Sequence, residues 1–430
     1  MSDKISSDEI GSETTEAVGA AQAIPGEYIV IYKENKSLAG KALQMKAKTN
    51  QILSKNGIKE DKVKYIYDNV AQGFAIKNLS EAELERLKED DQVAHVVPNY
   101  IHRLDFEKGE SVKVLPATME SKAPTANAKL SNDELIPSGV QRVGSGNGIG
   151  KKCWIIDTGI APHSELNIDE ANSISFVEGR NWQDENGHGT HVAGIIAAKK
   201  NRSGVIGVAY GASVVSVRIF DANGATTNAK LIAAAEYVAN NINTGEVWNA
   251  STSVGKNSPQ ELINSAFRKL GKKAPGAIAA GNQNTNTANR FPASLDTDRT
   301  WIVGSITDDG MPRSKSNYGA NVDCWAPGTE VWSTGLNGTF LKQSGTSQAA
   351  PHVAGILLLR GNNTIATDGT VTKGDYTAPI AVLGTTAAEY INGQWYTVNG
   401  MQLYRWNDQW WWLNANGEWA YWDGFDWVVA

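Results

Sequence analysis

The sequence predicts an α/β protein in three parts. A three-layer unit with a mostly parallel sheet is preceded by a small ferredoxin-like α+β unit and followed by a Trp-rich β-hairpin tail. Three observations carry this reading. Between residues 132 and 362, short apolar segments at 153–156, 214–219, 277–280 and 301–303 alternate with helical stretches at 191–199, 228–241, 259–270 and 349–359. Buried strands joined by helices make a parallel sheet covered on both faces. Residues 25–103 run strand, helix, strand, strand, helix, strand, which is the ferredoxin-like order. Eight of the 14 tryptophans lie between Trp395 and Trp427, among repeated turn signals.

Residues 1–24 are rich in Ser, Glu and Ala and read as a disordered lead. They lack a basic start followed by an apolar core, so no secretory signal is expected. No apolar run approaches about 18 residues, so no membrane span is expected. The α+β unit opens with a strand at 27–32 and a helix at 36–56 that stops at Asn56-Gly57. Strands follow at 63–67 and 74–76. Ser80-Glu81-Ala82-Glu83 reads as a capping box that opens a helix to about residue 90. A strand at 93–97 closes the unit. Residues 104–131 mix Lys, Glu, Ser, Pro and Ala without periodicity and read as a mobile linker with a processing region. Residues 363–380 read as a second, Thr-rich linker. In residues 381–430, Asn392-Gly393-Gln394-Trp395, Asn407-Asp408-Gln409-Trp410, Asn416-Gly417-Glu418-Trp419 and Asp423-Gly424-Phe425-Asp426-Trp427 space out a meander of hairpins. Large aromatics there supply the buried area that a short chain lacks.

At 430 residues the chain exceeds one average domain, and 41% hydrophobic residues suffice for a sizeable core. A net charge of −6 with no basic–aromatic run does not suggest a nucleic-acid partner, and none is expected. Two cysteines, Cys153 and Cys324, exclude a disulfide scaffold. Two buried free thiols and one disulfide remain the alternatives.

Four polar residues follow core strands or open helices. Asp157 ends Trp154-Ile155-Ile156-Asp157-Thr158-Gly159. His188 lies in Asn186-Gly187-His188-Gly189-Thr190-His191, and Asn282 in Ala279-Ala280-Gly281-Asn282. Ser347 lies in Gly345-Thr346-Ser347-Gln348-Ala349-Ala350-Pro351-His352. In an α/β sheet such strand ends converge on one crevice. Each alone has another explanation: Asp157 and Asn282 as turn formers, Ser347 as a helix cap, and His188 with His191 as a metal pair on one helical turn, although the Glu and the spacing of a His-Glu-x-x-His zinc site are absent. Together their roles interlock. Ser347 would attack a carbonyl and His188 would take its proton. Asp157 would orient the imidazole. Asn282 and the Ser347 N–H would hold the oxyanion.

With the chain order Asp, His, Ser, these motifs resemble those of subtilisin-like serine proteases, in details of the proteinase K-like branch. Gly139-Val140-Gln141-Arg142-Val143, Phe291-Pro292-Ala293, Ser316-Asn317-Tyr318-Gly319 and Ala326-Pro327-Gly328 support the likeness over residues 132–362. The resemblance implies a serine endopeptidase acting on polypeptides, with structural roles for His191 and His352. It implies that residues 25–103 are an inhibitory propeptide, so the chain would be a self-processing zymogen. Three departures stand out. Gln348 replaces a methionine. Ser251-Thr252-Ser253-Val254-Gly255 stands where the substrate-binding strand often reads Ser-Leu-Gly-Gly: either Ser253 takes a glycine's place and narrows one wall of the cleft that Ser251, Ser253 and Gly281 would line, or a single residue is inserted there. Asp323 falls at a calcium-binding position, while Asp296 and Asp298 do not align with one. The expectation is an enzyme needing no cofactor for its chemistry, with structural calcium left open. It would act as a monomer, exported by a route without a standard signal, the cytoplasm being the alternative. The competing reading is an inactive scaffold whose Trp-rich tail binds a polymer or surface ligand.

Overall fold

The computed structural model describes residues 22–33, 37, 40–105, 107–112, 134–255, 260–361, 363–384, 394–398, 401–406, 409–413, 418–422 and 427–429. The N-terminal unit consists of β1 (Gln22–Tyr32), α1 (Ala42–Lys55), β2 (Val63–Tyr67), β3 (Gly73–Ile76), α2 (Glu81–Glu89) and β4 (Val93–Arg103). α1 starts at Ala42, just after Gly40 with its left-handed φ of 70°; residues 34–36, 38 and 39, where the expected helix start falls, lie outside the described residues. α2 starts on a capping box: the Ser80 N–H donates to Glu83 Oε2 at 2.8 Å, and the Glu83 N–H donates to Ser80 Oγ at 3.4 Å. Strand alternation gives this sheet two apolar faces. Val30, Tyr32 and Phe74 pack on Met45, Ile52, Leu53 and Leu87 of its own helices. Ile29, Tyr67, Val70 and Ala75 face outward and join the core of the central unit.

Next come β5 (Glu107–Val112), α3 (Ser138–Val143), β6 (Gly146–Asn147), β7 (Lys152–Asp157), β8 (Asn167–Ile168), β9 (Ile174–Ser175), α4 (His188–Ala197) and β10 (Ala209–Tyr210). They are followed by β11 (Ser213–Arg218), β12 (Ala225–Thr227), α5 (Asn228–Asn241), β13 (Val247–Ala250), α6 (Gln260–Lys273), β14 (Gly276–Ala279) and β15 (Thr300–Ile306). The central unit ends with β16 (Cys324–Pro327), β17 (Val331–Thr334), β18 (Phe340–Ser344), α7 (Thr346–Arg360), β19 (Ala366–Lys373) and β20 (Tyr376–Val382). The main sheet has the order β19-β20-β16-β15-β14-β13-β7-β11-β8, with β9 also on β11. All its pairings are parallel except β19 with β20. Alternation again sorts side chains. Trp154, Ile156, Val215 and Val217 pack with α5 and α6. Cys153, Ile155 and Val214 pack with α4 and α7. Both cysteines are buried and free.

Three stretches differ from the sequence reading. Residues 363–380 are not a linker: β19 and β20 form a hairpin, and Ile380 pairs with Trp325 at the sheet edge. Their inward residues, Val371, Ala378 and Ile380, are few and spaced among threonines, so the period-2 signal is faint. Within 104–131, β5 adds antiparallel to β18. Main-chain pairing at an edge needs no apolar pattern, so composition did not reveal it. Residues 113–131 lie outside the described residues. β1 reaches back to Gln22, into the end of the proposed lead, whose remainder also lies outside them.

The tail forms β21 (Gln394–Val398), β22 (Met401–Trp406), β23 (Gln409–Leu413), β24 (Trp419–Trp422) and β25 (Trp427–Val429). They pair in sequence order as an antiparallel meander, with Trp411 opposite Tyr421. Those two rings lie 5.4 Å apart, and Tyr404 and Trp419 lie 6.2 Å apart.

Candidate active site

The C-terminal ends of β7 and β14 and the N-termini of α4 and α7 carry the four residues singled out above. Asp157 is the last residue of β7 and is fully buried. One of its oxygens, Oδ1, accepts the Thr158 N–H at 2.7 Å and lies 2.7 Å from His188 Nδ1. His188 is the first residue of α4, after Gly187 at φ 103°. The turn is fixed because the Gly189 N–H donates to Thr158 Oγ1 at 2.8 Å. An acceptor at Nδ1 holds the Nδ1–H tautomer and leaves Nε2 as the basic nitrogen.

Ser347 is the second residue of α7. Pro351, four residues on, has no N–H to offer the Ser347 carbonyl. Ser251 Oγ supplies that donor instead, at 2.9 Å. The Ser347 hydroxyl donates in return to the Ser251 carbonyl at 3.2 Å. Asn282 follows β14, and its Oδ1 accepts the Thr346 N–H at 2.9 Å. That bond points the Asn282 Nδ2 into a small cleft lined by Ser251, Ser253, Gly281, Gln283 and Ser347.

The cleft is filled from the N-terminal side. β4 pairs antiparallel with β12, Arg103 opposite Ala225. The Leu104 N–H donates to the Gly224 carbonyl at 2.9 Å. The next carbonyl, that of Asp105, accepts Asn282 Nδ2 at 2.6 Å. Beyond it, β5 runs along β18, the strand that leads into Ser347. The chain therefore threads the cleft from one side to the other. Its N-terminal unit is further held on α5. Glu236 accepts the N–H groups of Asp68, Asn69 and Val70 at 3.0, 2.6 and 2.6 Å.

A family model described as the subtilase family matches residues 148–372, and one described as peptidase inhibitor I9 matches residues 27–105. The chain belongs to the subtilase family. Among subtilase relatives, it is 30% identical over 354 residues to an alkaline serine exoprotease A from Vibrio alginolyticus, covering 80% of this chain and 62% of that protein. It is 34% identical to a subtilisin-like serine protease from Sarocladium strictum, covering 69% of this chain and 72% of that one. It is 31% identical to the M-protease of Shouchella clausii, covering 70% and 81%.

Other polar residues of this subtilase are tied into its frame. His191 Nε2 donates to the carbonyls of Val331 and Leu341 at 3.0 and 3.1 Å, and burial pushes its pKa down to about 3. His352 Nδ1 donates to the Gln348 carbonyl at 2.8 Å, and burial lowers its pKa to about 4. Gln348, in the methionine position, donates to Gln343 Oε1 at 2.9 Å, so a buried amide pair fills that space. Burial raises the Asp323 carboxyl to about 7, with Asp296 adding to the shift, and one oxygen accepts the Ile302 N–H at 2.6 Å. No group of three His, Cys, Asp or Glu able to hold a metal ion occurs among the described residues.

The sequence reading missed Asp105, Gln283, Glu236 and the holding role of Asn317. Gln283 was legible only as the neighbour of a matched motif, and Asn317 only as a member of Ser316-Asn317-Tyr318-Gly319, without its bonds to the Gln283 and Thr285 N–H groups. Asp105 sits in a stretch without any periodic signal, and Glu236 looks like any helix-surface acid.

Proposed function

We propose that this subtilase is a serine endopeptidase made as a zymogen, with Ser347 as nucleophile, His188 as general base, Asp157 as its orienting carboxylate and Asn282 as oxyanion donor. The observation that carries this reading is the Asp105 carbonyl: a main-chain carbonyl sits on Asn282 Nδ2 at 2.6 Å in the cleft that Ser347 lines. In the reaction, Ser347 Oγ bonds to the carbonyl carbon and its proton passes to His188 Nε2. The carbonyl oxygen becomes an oxyanion. Asn282 and the positive end of α7 stabilise it. The C–N bond then breaks, and the proton on His188 goes to the leaving amine. Water cleaves the resulting ester through the same base. No cofactor enters these steps. The Asp157–His188 contact at 2.7 Å speaks against the inactive-scaffold alternative.

Ser347→Ala should remain at full length while the parent chain yields a smaller mature form on a gel. A serine-directed fluorophosphonate should label the parent and not the variant. Processing that continues in Ser347→Ala would overturn the assignment. Polypeptides and the chain's own N-terminal unit are the partners this site serves. We place the enzyme outside the cell, as a monomer. Among the described residues no helix is long and apolar enough to cross a membrane.

A further inference from the structure

The side chain that reads the residue before the cut can be identified, given the site assignment just proposed. The main chain is held on both sides of the bond that follows Asp105. β4 runs along β12 before it, and β5 begins on β18 just after it, with Glu107 opposite Ser344. The Asp105 carbonyl lies on Asn282, and its carboxylate is held as well: Gln283 Nε2 donates to Asp105 Oδ2 at 2.9 Å.

The orientation of Gln283 follows from its neighbours. Asn317 Oδ1 accepts the backbone N–H groups of Gln283 and Thr285, each at 3.0 Å. The other end of that amide, Asn317 Nδ2, must therefore donate. It does so to the Ala280 carbonyl at 2.8 Å and to Gln283 Oε1 at 3.1 Å. With Oε1 taken, Gln283 has only its NH2 to turn towards the cleft. A fixed donor favours an anionic acceptor, with which it makes a charge-assisted bond, over an apolar side chain, which offers it none. Partly buried Arg290 adds positive charge nearby, and the Asp105 charge helps it keep its proton against burial. The wall is close on the other side. Gly281 has φ 101°, and a Cβ built there would lie 3.0 Å from Ser253 Oγ.

We propose that this protease selects a short acidic residue on the acyl side of the cut, with Gln283 as the residue that reads it, and that the bond after Asp105 is the first it cuts. Ser347 Oγ would bond to the Asp105 carbonyl carbon as the bond to Phe106 nitrogen breaks. The serine proton leaves with the Phe106 amine by way of His188. Water then frees Asp105 as a carboxylic acid and restores Ser347.

Two measurements test this. N-terminal sequencing of the mature protein should begin at Phe106, and Asp105→Phe should slow that processing. Purified enzyme should then cleave His-Arg-Leu-X reporter amides, with X as Asp, Asn, Ala or Phe. The Asp peptide should lead the Phe peptide in kcat/KM by about ten-fold or more, the size of one hydrogen bond to a charged group. Gln283→Leu should collapse that ratio, and Gln283→Glu should invert it. A mature N-terminus elsewhere, a lead for Phe over Asp, or a ratio unmoved by Gln283→Leu would overturn the inference while fluorophosphonate labelling persists. Loss of labelling in the parent enzyme would instead remove the site assignment and the inference with it. Asp105→Phe alters only the substrate half, so it remains decisive if a Gln283 variant fails to fold.

Discussion

The N-terminal unit meets the peptidase unit through two regions that differ in kind. One is a broad face on α5. Tyr67 and Val70 are fully buried there, Tyr67 Oη donates to the Ala229 carbonyl at 3.1 Å, and Glu236 gathers three N–H groups. The other is the end of one strand, β4 through Asp105, held mainly by main-chain bonds. The face buries large side chains, each contributing about 1.5–3 kcal/mol. The strand buries little, but it sets one carbonyl against Asn282. Affinity and placement are thus separated: the face decides how tightly the unit stays, and the strand decides which bond meets Ser347.

The largest effect should come from the centre of the face. Glu236→Ala leaves three N–H groups of residues 68–70, two of them buried, without their acceptor. Unpaired buried donors cost about 1–3 kcal/mol each. Inhibition of the mature enzyme by its released N-terminal unit should weaken by about a hundred-fold or more. Peptide cleavage without that unit should be unchanged. A shift under about three-fold would show that the apolar contacts alone hold the face.

Acid and base should attack the two regions separately. His102, on the strand, is buried with its ring at 2.6 Å from Asn228 Oδ1. Burial, with a smaller push from Arg290, lowers its pKa from 6.5 to about 4. Docking therefore disfavours its charged form. Its contribution is whole above 6.5 and is lost as pH falls from 6.5 towards 4. Glu236, on the face, is shifted the other way, by burial first and then by its hydrogen bond to Asp68. Its contribution is whole below the ordinary carboxylate value and is lost as pH rises through the raised one. Over the shared window the two slopes oppose each other, so inhibition by the parent N-terminal unit should vary little with pH. His102→Gln should uncover inhibition that weakens as pH rises towards 7, and Glu236→Gln inhibition that weakens as pH falls from 6.5 towards 4, read from inhibition constants across pH. An acid-side loss that survives His102→Gln would place its origin elsewhere.

The two regions also differ in how far the sequence revealed them. Elements with their own local signal were legible: the capping box at Ser80, the strand ending at Asp157, and the small-residue turn before Ser347. Each states its role within a few residues. The docking face is a tertiary fact. Tyr67 reads as a strand residue and Glu236 as a solvated helix acid until β2 is set against α5. β5 was hidden for another reason, since main-chain pairing places no demand on side chains. The hairpin at 366–382 fell between these cases, with a true alternation thinned by threonines.

A smaller effect should come from the seam between the regions. Asn99 Oδ1 accepts the Ala229 N–H at 3.0 Å, so the N-terminal unit helps to cap α5 of the peptidase unit. Thr227 Oγ1 accepts the Lys230 N–H at 3.4 Å from within the peptidase unit itself. Replacing a capping residue with alanine costs about 0.5–2 kcal/mol. Asn99→Ala should therefore weaken inhibition by about three- to thirty-fold. Because the Thr227 cap remains, the mature enzyme's melting temperature should not move. A drop in that temperature after Thr227→Ala, matched by no change in inhibition, would assign the two caps to separate tasks.

The smallest effect belongs to the rim of the face. Lys77 Nζ lies 3.8 Å from Glu178 Oε1, with the two side chains 34% and 85% exposed. Water screens such a pair, and exposed pairs contribute about 0–1 kcal/mol. Lys77→Ala should change inhibition by no more than about five-fold at low salt. The change should vanish near 1 M salt, where the screening length falls to about 3 Å. The Glu236 effect should persist there, because its carboxylate is buried against the N–H groups it accepts. If salt erased both alike, the broad face would be an electrostatic surface, and the contrast between a gripping face and an aligning strand would fail.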